Sequence, residues 1–342
     1  MKLKNVLVAT VASSALLLAG CSGGGGGEEK APGTDGETTA TSLMLNWYPY
    51  GEHAPFYYGV QEGIFAEHGI DLTITAGQGS TKTAQAAGSN QTDFGWADTA
   101  AVMSNIDKGV KVKSLGVFLQ TTPSAVQVYA DGPIQTTADL AGKTIAVSAG
   151  DAPTTTFPIF LDRAGVPEDQ VQQQSLDSAG KIAAMLSGQV DGLIGFAHDQ
   201  GPNIANKSGR EMRYLRYSDE GLNFYSNGLI ANTSTIENSP ELAQAMVDAT
   251  RESFEAAIAN PEAAVASMVG KDPQTPPESV LLQQWQETIP LLTTENTEGM
   301  APGVNSDEDW ANTISILSDA GLTETGAEAS TYWDSSFTSN EE

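Results

Sequence analysis

Between Trp47 and Tyr58 the chain carries six aromatic rings: Trp47, Tyr48, Tyr50, Phe56, Tyr57 and Tyr58. Such faces hold a flat heterocycle by stacking, or a cation by attraction to the ring quadrupole, a contact of about 0.5–2 kcal/mol. Phe56 recurs with Val60 at helical spacing and is assigned to a core, whereas Trp47, Tyr48 and Tyr57 are expected to line a cleft. Glu52 and His53 share this loop. A carboxylate there accepts hydrogen bonds from a ring-bound amine, and a neutral imidazole supplies one donor and one acceptor. A structural role for His53 at a helix start fits equally. His68 precedes Gly69 at a helix end, an ordinary place for histidine, and no function is assigned to it.

Two further segments lead into helices and would present free N–H groups to an anion. They are Gln78-Gly79-Ser80 and Asp151-Ala152-Pro153-Thr154. A Ser or Thr before a helix is also a routine cap. Asp98 and Asp151 disfavour a bare anion, and the arginine expected for bidentate capture of an oxyanion is missing from these loops, where only Lys82 is near. A neutral or weakly basic heterocycle suits the set better. Trp96, Phe196, His198 and Tyr225 fall at strand ends or crossings, Trp96 as the other wall of an aromatic slot; Asn223 and Asn227 flank Tyr225.

The elements that must position these residues alternate. Leu43–Leu45, Ile70–Ile74, Thr92–Trp96 and Val112–Leu119 read as strands, separated by helices over Pro55–Gly69, Ser80–Gly88 and Asp98–Ile106. A second set follows from Ala125: strands at Thr144–Val147, Val190–Phe196, Met212–Tyr217 and Phe224–Ala231, with helices after Asp151 and at Ile182–Leu186. Beyond Pro240 the pattern is helical, over Glu241–Ala259, Pro261–Val269, Val280–Leu292 and Asp307–Leu317, and would wrap the first unit. The fold class expected is α/β with mainly parallel sheets. Residues 43–124 would form the first part of lobe 1, residues 125–226 an inserted lobe 2, and residues 227–342 the completion of lobe 1. Two crossings near Gln120–Ser124 and Tyr225–Asn227 make a hinged clamshell whose ligand lies between the lobes, at the carboxyl ends of the strands.

The N-terminus carries a different signal. Lys2 and Lys4 precede the apolar run Val6–Leu18, followed by Leu18-Ala19-Gly20-Cys21. This is the pattern of a secretory signal over residues 1–20. Its end is similar to a bacterial lipoprotein box, which implies lipidation of Cys21, the only cysteine of the 342-residue chain. Residues 21–42, rich in Gly, Thr and acids, read as a flexible tether. The body is thus expected outside the cytoplasm, anchored to the membrane by lipid. The formal net charge is −27, and −29 without residues 1–20. So acidic a body repels nucleic acid, which is excluded as a partner, and anionic headgroups. The charge serves solubility in a salty exterior or a bias toward neutral and cationic ligands.

The segment Leu45-Asn46-Trp47-Tyr48-Pro49-Tyr50-Gly51-Glu52-His53-Ala54-Pro55-Phe56-Tyr57-Tyr58 continues into Gly63-Ile64-Phe65-Ala66-Glu67-His68-Gly69-Ile70-Asp71-Leu72. With Gly77-Gln78-Gly79-Ser80, Asp93-Phe94-Gly95-Trp96-Ala97-Asp98 and Asp139-Leu140-Ala141-Gly142-Lys143-Thr144-Ile145-Ala146-Val147, it resembles a solute-binding family. That family includes binders of thiamine pyrimidine precursors, riboflavin, nitrate, taurine and alkanesulfonates. The resemblance runs in blocks from Leu43 to Ala231. It implies a type II periplasmic-binding-protein-like clamshell serving an ABC importer, with a permease and its ATPase as partners. It strengthens the aromatic slot for a thiamine pyrimidine precursor and leaves sulfonate, taurine or nitrate as the alternative. One branch of the family synthesises a pyrimidine using iron and a cysteine-rich segment. The lone Cys21, three dispersed histidines and the absence of P-loop, G-x-S-x-G and H-E-x-x-H patterns argue against an enzyme. A surface adhesin is the third class weighed. No cofactor or metal is expected, and a monomer is.

Overall fold

The computed structural model describes residues 38–338. The expectations for residues 1–20, Cys21 and residues 22–37 lie outside them. The described chain begins with strand β1 (Thr39–Met44), four residues inside the stretch read as tether. Thr39–Ser42 pair in parallel with Ile70–Thr73, and β-branched threonines suit such a pleated surface.

The first lobe is built from β1, helix α1 (Ala54–Glu62), α2 (Ile64–Glu67), β2 (Ile70–Thr75), α3 (Ser80–Gly88), β3 (Phe94–Asp98), α4 (Thr99–Asp107) and β4 (Val112–Val117). The single helix expected over Pro55–Gly69 is broken in two. Gly63 sits at φ +83°, a left-handed cap that ends α1 and restarts the chain as α2. The second lobe comprises β5 (Ser124–Tyr129), β6 (Thr144–Val147), α5 (Ala152–Arg163), β7 (Gln172–Ser175), α6 (Ser178–Leu186), β8 (Gly192–Phe196), α7 (Gln200–Ser208) and β9 (Met212–Arg216). The chain returns through β10 (Asn227–Asn232) and continues as α8 (Thr233–Asn238), α9 (Pro240–Ala259), α10 (Pro261–Ala266), α11 (Glu278–Thr288), α12 (Asp307–Asp319) and α13 (Ala329–Tyr332).

Each lobe is centred on a five-stranded sheet, ordered β2-β1-β3-β10-β4 and β7-β6-β8-β5-β9. The fold is α/β and two-lobed, with the second lobe inserted into the first. Parallel pairing holds for β1 with β2 and β3, and for β6 with β7 and β8. The sheets are more mixed than expected: β10 runs antiparallel to β3 and β4, and β5 antiparallel to β8 and β9. Insertion is the reason. The strand that re-enters the first lobe arrives from its carboxyl edge and must run backwards between its neighbours. At the crossing, Leu119 donates its N–H to the carbonyl of Asn227 (2.9 Å), and Ser226 donates to the carbonyl of Leu119 (2.8 Å).

Strands β3, β8 and β10 are buried along their whole length, as strands covered on both faces must be. The first-lobe core joins Phe56, Trp96 and Phe118 to Met246 and Phe254 of α9 and Trp285 of α11. Helix α12 packs elsewhere, in a cluster with Tyr225, Phe157 and Val126, where Trp310 meets Tyr225 edge-on at 5.4 Å. Among the described residues no helix is long and apolar enough to cross a membrane.

Candidate functional site

The strand ends of both lobes converge on a small chamber. Asn46, Trp47, Tyr50, Gly79 and Ser80 line it from the first lobe; Asp151, Ala152, Pro153, Lys181, Gly195, Phe196, Asp199 and Gln200 line it from the second. Local sequence explains these positions. Asn46 and Trp47 follow β1, Gly79 and Ser80 open α3, Asp151 precedes α5, and Asp199 and Gln200 open α7 directly after β8.

The lobes meet through named contacts. Tyr48 donates its hydroxyl to Asp199 Oδ1 at 2.6 Å, and His198 Nε2 lies 2.8 Å from Glu52 Oε2. Gln284 accepts from the Gly51 N–H (2.9 Å) and donates to the Asp199 carbonyl (2.7 Å). At the rim the Thr81 N–H reaches the Gly150 carbonyl at 3.3 Å. Gly79 has φ +115°, and a Cβ there would come within 2.7 Å of the Gly150 oxygen. Only glycine allows the two backbones this approach.

Lys181 is fully buried and donates to Asp151 Oδ2 (2.9 Å) and to the Ile194 carbonyl (2.8 Å). Its ammonium also lies 5.2 Å from the centre of the Trp47 ring. The cation is therefore committed on three sides, a pattern that offsets the cost of burying it. Three buried polar atoms of the chamber residues have no partner: Oε1 and Nε2 of Gln200, and Oδ1 of Asp151. Buried polar groups are normally satisfied, so such atoms in a cavity are open to a ligand. Burial pushes Asp199 up to about 7, with the Tyr48 bond and the charges of His198 and Lys181 pulling the other way.

Behind the chamber, Glu52 is fully buried and accepts four bonds. Trp96 Nε1 and the Asn227 amide meet Oε1, both at 2.6 Å, while Tyr50 (2.5 Å) and His198 meet Oε2. Burial alone would raise this carboxyl, but the His198 bond and the charges of His198 and His53 hold it at about 2. His53 accepts from the Tyr50 N–H at Nδ1 (3.3 Å), so its Nε2 donates to Asn46 Oδ1 (2.8 Å). Burial lowers its pKa to about 4, against the opposing pull of Glu52, and the ring is neutral.

The structure thus brings Trp47, Ser80, Asp151 and Phe196 of the sequence-predicted residues to the chamber. Tyr48 stands one step away, on Asp199. Glu52, His53 and Trp96 are behind it; the Trp96 ring belongs to the first-lobe core against Phe56, Phe118 and Phe254. Asp98 is buried, caps α4 through the Ala100 N–H and accepts from Ser226. His198 lines a groove on another side, with Arg216 and Glu287. Tyr225 is buried beneath Trp310, and Tyr57 packs against the first-lobe core. Thr154 accepts from the Ser148 N–H, and Gln78 is exposed on an outer groove. Absent from the expected lining were Asn46, Tyr50, Lys181, Asp199 and Gln200. Asp199 and Gln200 extend the Phe196–His198 strand end by two residues. A lysine beside the apolar run Ile182–Met185 was the one signal for Lys181.

A family model described as NMT1/THI5 like matches residues 51–264. The chain belongs to the NMT1/THI5-like family. It is 25% identical over 290 residues to the formylaminopyrimidine-binding protein of Halalkalibacterium halodurans, covering 83% of this chain and 86% of that one. It is 24% identical over 298 residues to the riboflavin-binding protein RibY of Chloroflexus aurantiacus, covering 85% and 84%. A family relative in Legionella pneumophila, 24% identical over 79% of this chain and 83% of its own, is named 4-amino-5-hydroxymethyl-2-methylpyrimidine phosphate synthase. Among solved structures, the ligand-binding component of an ABC-type import system from Staphylococcus aureus aligns at TM-score 0.67 and 12% identity, over 89% of this chain and 99% of that one. The alkanesulfonate-binding protein SsuA from Xanthomonas axonopodis aligns at 0.64 and 14%, over 87% and 99%. These likenesses confirm the two-lobed binding-protein fold.

Proposed function

We propose that the protein is the extracytoplasmic solute-binding subunit of an ABC importer, capturing a small aromatic N-heterocycle such as a thiamine pyrimidine precursor. One observation carries the choice of ligand. In a chamber walled by Trp47 and Phe196, the Gln200 amide and Asp151 Oδ1 are buried without partners. An amide offers a donor and an acceptor side by side, and a carboxylate oxygen accepts. A ring carrying an exocyclic amine beside a ring nitrogen presents the complementary edge. The names of the formylaminopyrimidine- and riboflavin-binding relatives support the same class.

An anion is the second reading, favoured by the fold likeness to the alkanesulfonate-binding protein. The chamber's lysine is already paired with Asp151, so an oxyanion would meet no free cation there. An enzymatic role has the synthase relative in its favour. Against it stands the single Cys21, and among the described residues no cluster of three His, Cys, Asp or Glu side chains has metal-holding geometry. The membrane partners are a permease and its ATPase, engaged by the closed form of a monomer held at the membrane through lipid on Cys21. Ligand works by shifting the open–closed equilibrium.

A thermal-shift panel tests the assignment, with aminopyrimidines, flavins and thiamine set against taurine, alkanesulfonates and nitrate. Ligand at 100 times its dissociation constant adds about 2.7 kcal/mol of stability. A shift from heterocycles alone is expected. A shift from the anions alone would overturn the choice of ligand.

A further inference from the structure

A groove at the first crossing between the lobes shares no lining residue with the chamber. Thr121 and Thr122 of the crossing line it, with His198, Arg216 and Ser218 from the second lobe and Glu287 of α11 from the first. His198 spends Nε2 on Glu52, while its Nδ1 is buried and has no partner. Arg216 is half-buried, and its guanidinium makes no hydrogen bond or ion pair among the described residues; it faces the Tyr214 ring, whose centre is 5.4 Å away. Glu287 accepts only from Gln283 of its own helix, at 2.9 Å. Burial raises the Tyr214 hydroxyl first, Glu287 adds to the rise and Arg216 opposes it, so both charges act on the same ring. The groove therefore sets a cation of one lobe and an anion of the other, neither of them neutralised, around an orphaned imidazole nitrogen.

We propose that this groove is a second ligand site, built for a small zwitterion of the amino-acid kind that bridges the lobes at the crossing. A simple ion of either sign is drawn to one wall and repelled by the other. A zwitterion satisfies both: its carboxylate takes the guanidinium donors of Arg216, and its ammonium donates to Glu287. His198 Nδ1 accepts from the ammonium when the ring is neutral and donates to the carboxylate when the ring carries its second proton, so the zwitterion partners it in either state. Because Arg216 and Glu287 belong to different lobes, a molecule held by both fixes the angle between them. By linkage, the zwitterion and the solute in the chamber then change each other's affinity by the same factor. The site does not depend on which solute the chamber takes.

Titration of the purified protein followed by amide NMR decides it, with glycine, β-alanine and γ-aminobutyrate as zwitterions of increasing charge separation and acetate and methylammonium as single ions. At least one amino acid is expected to bind with a dissociation constant of about 1 mM or lower and to shift the amides of Thr121, Thr122 and Ser218. Arg216→Gln and Glu287→Gln each remove one charge of the groove and should weaken that binding about 10-fold or more, the worth of a charge-assisted bond. Trp47→Ala, which alters the chamber alone, should leave it unchanged. Shifts from acetate or methylammonium as strong as those from the amino acids would overturn the zwitterion. Binding lost in Trp47→Ala but kept in both groove variants would put the amino acid in the chamber and overturn the second site. So would the absence of any shift with all three amino acids at about 10 mM, where a site of millimolar affinity is mostly filled.

Discussion

Glu52 shows how a residue that looks available for a ligand is consumed by the fold. Its four donors come from β3, β10, the neighbouring loop and the other lobe, and none of its capacity faces the chamber. Charge-assisted bonds of this kind contribute about 1.5–3 kcal/mol each. Glu52→Gln keeps the shape and removes the charge, and is expected to lower stability by about 1–3 kcal/mol in urea unfolding at neutral pH. The sign of the pH dependence follows from a depressed carboxyl. Its contribution is complete above the ordinary value of 4.5 and is lost as pH falls toward about 2. The variant should therefore show a shallower acid loss over that window. Trp47 acts on the ligand side. Trp47→Ala removes a stacking face and one of the three contacts of Lys181, and should weaken ligand binding by about 1–3 kcal/mol in calorimetry. Unchanged affinity would take Trp47 out of the site.

At the level of elements, the chamber depends on helix starts that meet across the cleft. Ser80 and Asp151 stand at the openings of α3 and α5, and the Gly79–Gly150 approach brings the two starts together. Gly79→Ala puts a methyl group against the Gly150 carbonyl and strains a backbone at φ +115°. Both lobes should still fold, but closure should be blocked. A 10-fold or greater loss of ligand affinity is expected, with a far-ultraviolet circular dichroism spectrum like that of the wild type. The elements themselves were largely legible. Alternation in Ile70–Ile74, the Asp98 cap and the helical run from Glu241 are local patterns set by residues within a turn or two of each other. The split at Gly63 was not, since a glycine after Gln61-Glu62 fits a continuing helix or a left-handed cap equally until packing chooses. The Lys181–Asp151 pair joins residues 30 apart on different elements, and no local pattern announces such a pair.

For the whole molecule, the arrangement of the lobes is held by discrete contacts such as Tyr48–Asp199 and His198–Glu52. Removing the hydroxyl with Tyr48→Phe frees Asp199 from its partner in the first lobe. The open form should gain population, read as a larger radius of gyration by small-angle X-ray scattering without ligand and a smaller one with it. A variant indistinguishable from wild type in both states would show that this bond does not govern closure. Stability as a function of pH is also a property of the whole chain. Asp98 is raised from 3.8 to about 7, by burial first and against the bonds from Ser226 and the α4 amides. A raised carboxyl binds its proton more tightly folded than unfolded, so stability falls as pH rises from 3.8 to about 7 and stays low above. Asp98→Asn keeps the cap and removes this loss. At pH 8 it should melt higher than the wild type, by an amount on the order of 1–4 kcal/mol, and the difference should shrink toward pH 4.

The amino-acid sequence by itself determined the alternation of most strands and helices, though not β7, α7 or α8, the insertion of one lobe in the other and the family motifs from Leu45 to Val147. These rest on periodicity, caps and short blocks that act over a few residues. It also placed an aromatic cluster at the end of the first strand. Tertiary structure alone decided what each ring and charge became. Trp47 reached the chamber while Trp96 was taken into the core, and His198 turned to Glu52, from which it is separated by 146 positions in the chain. Gln200, with no mark in its own neighbourhood, was left buried with both amide atoms free. Burial and partnership are set by segments brought together from far apart, and so a side chain's role depends on distances that its neighbours in sequence do not encode.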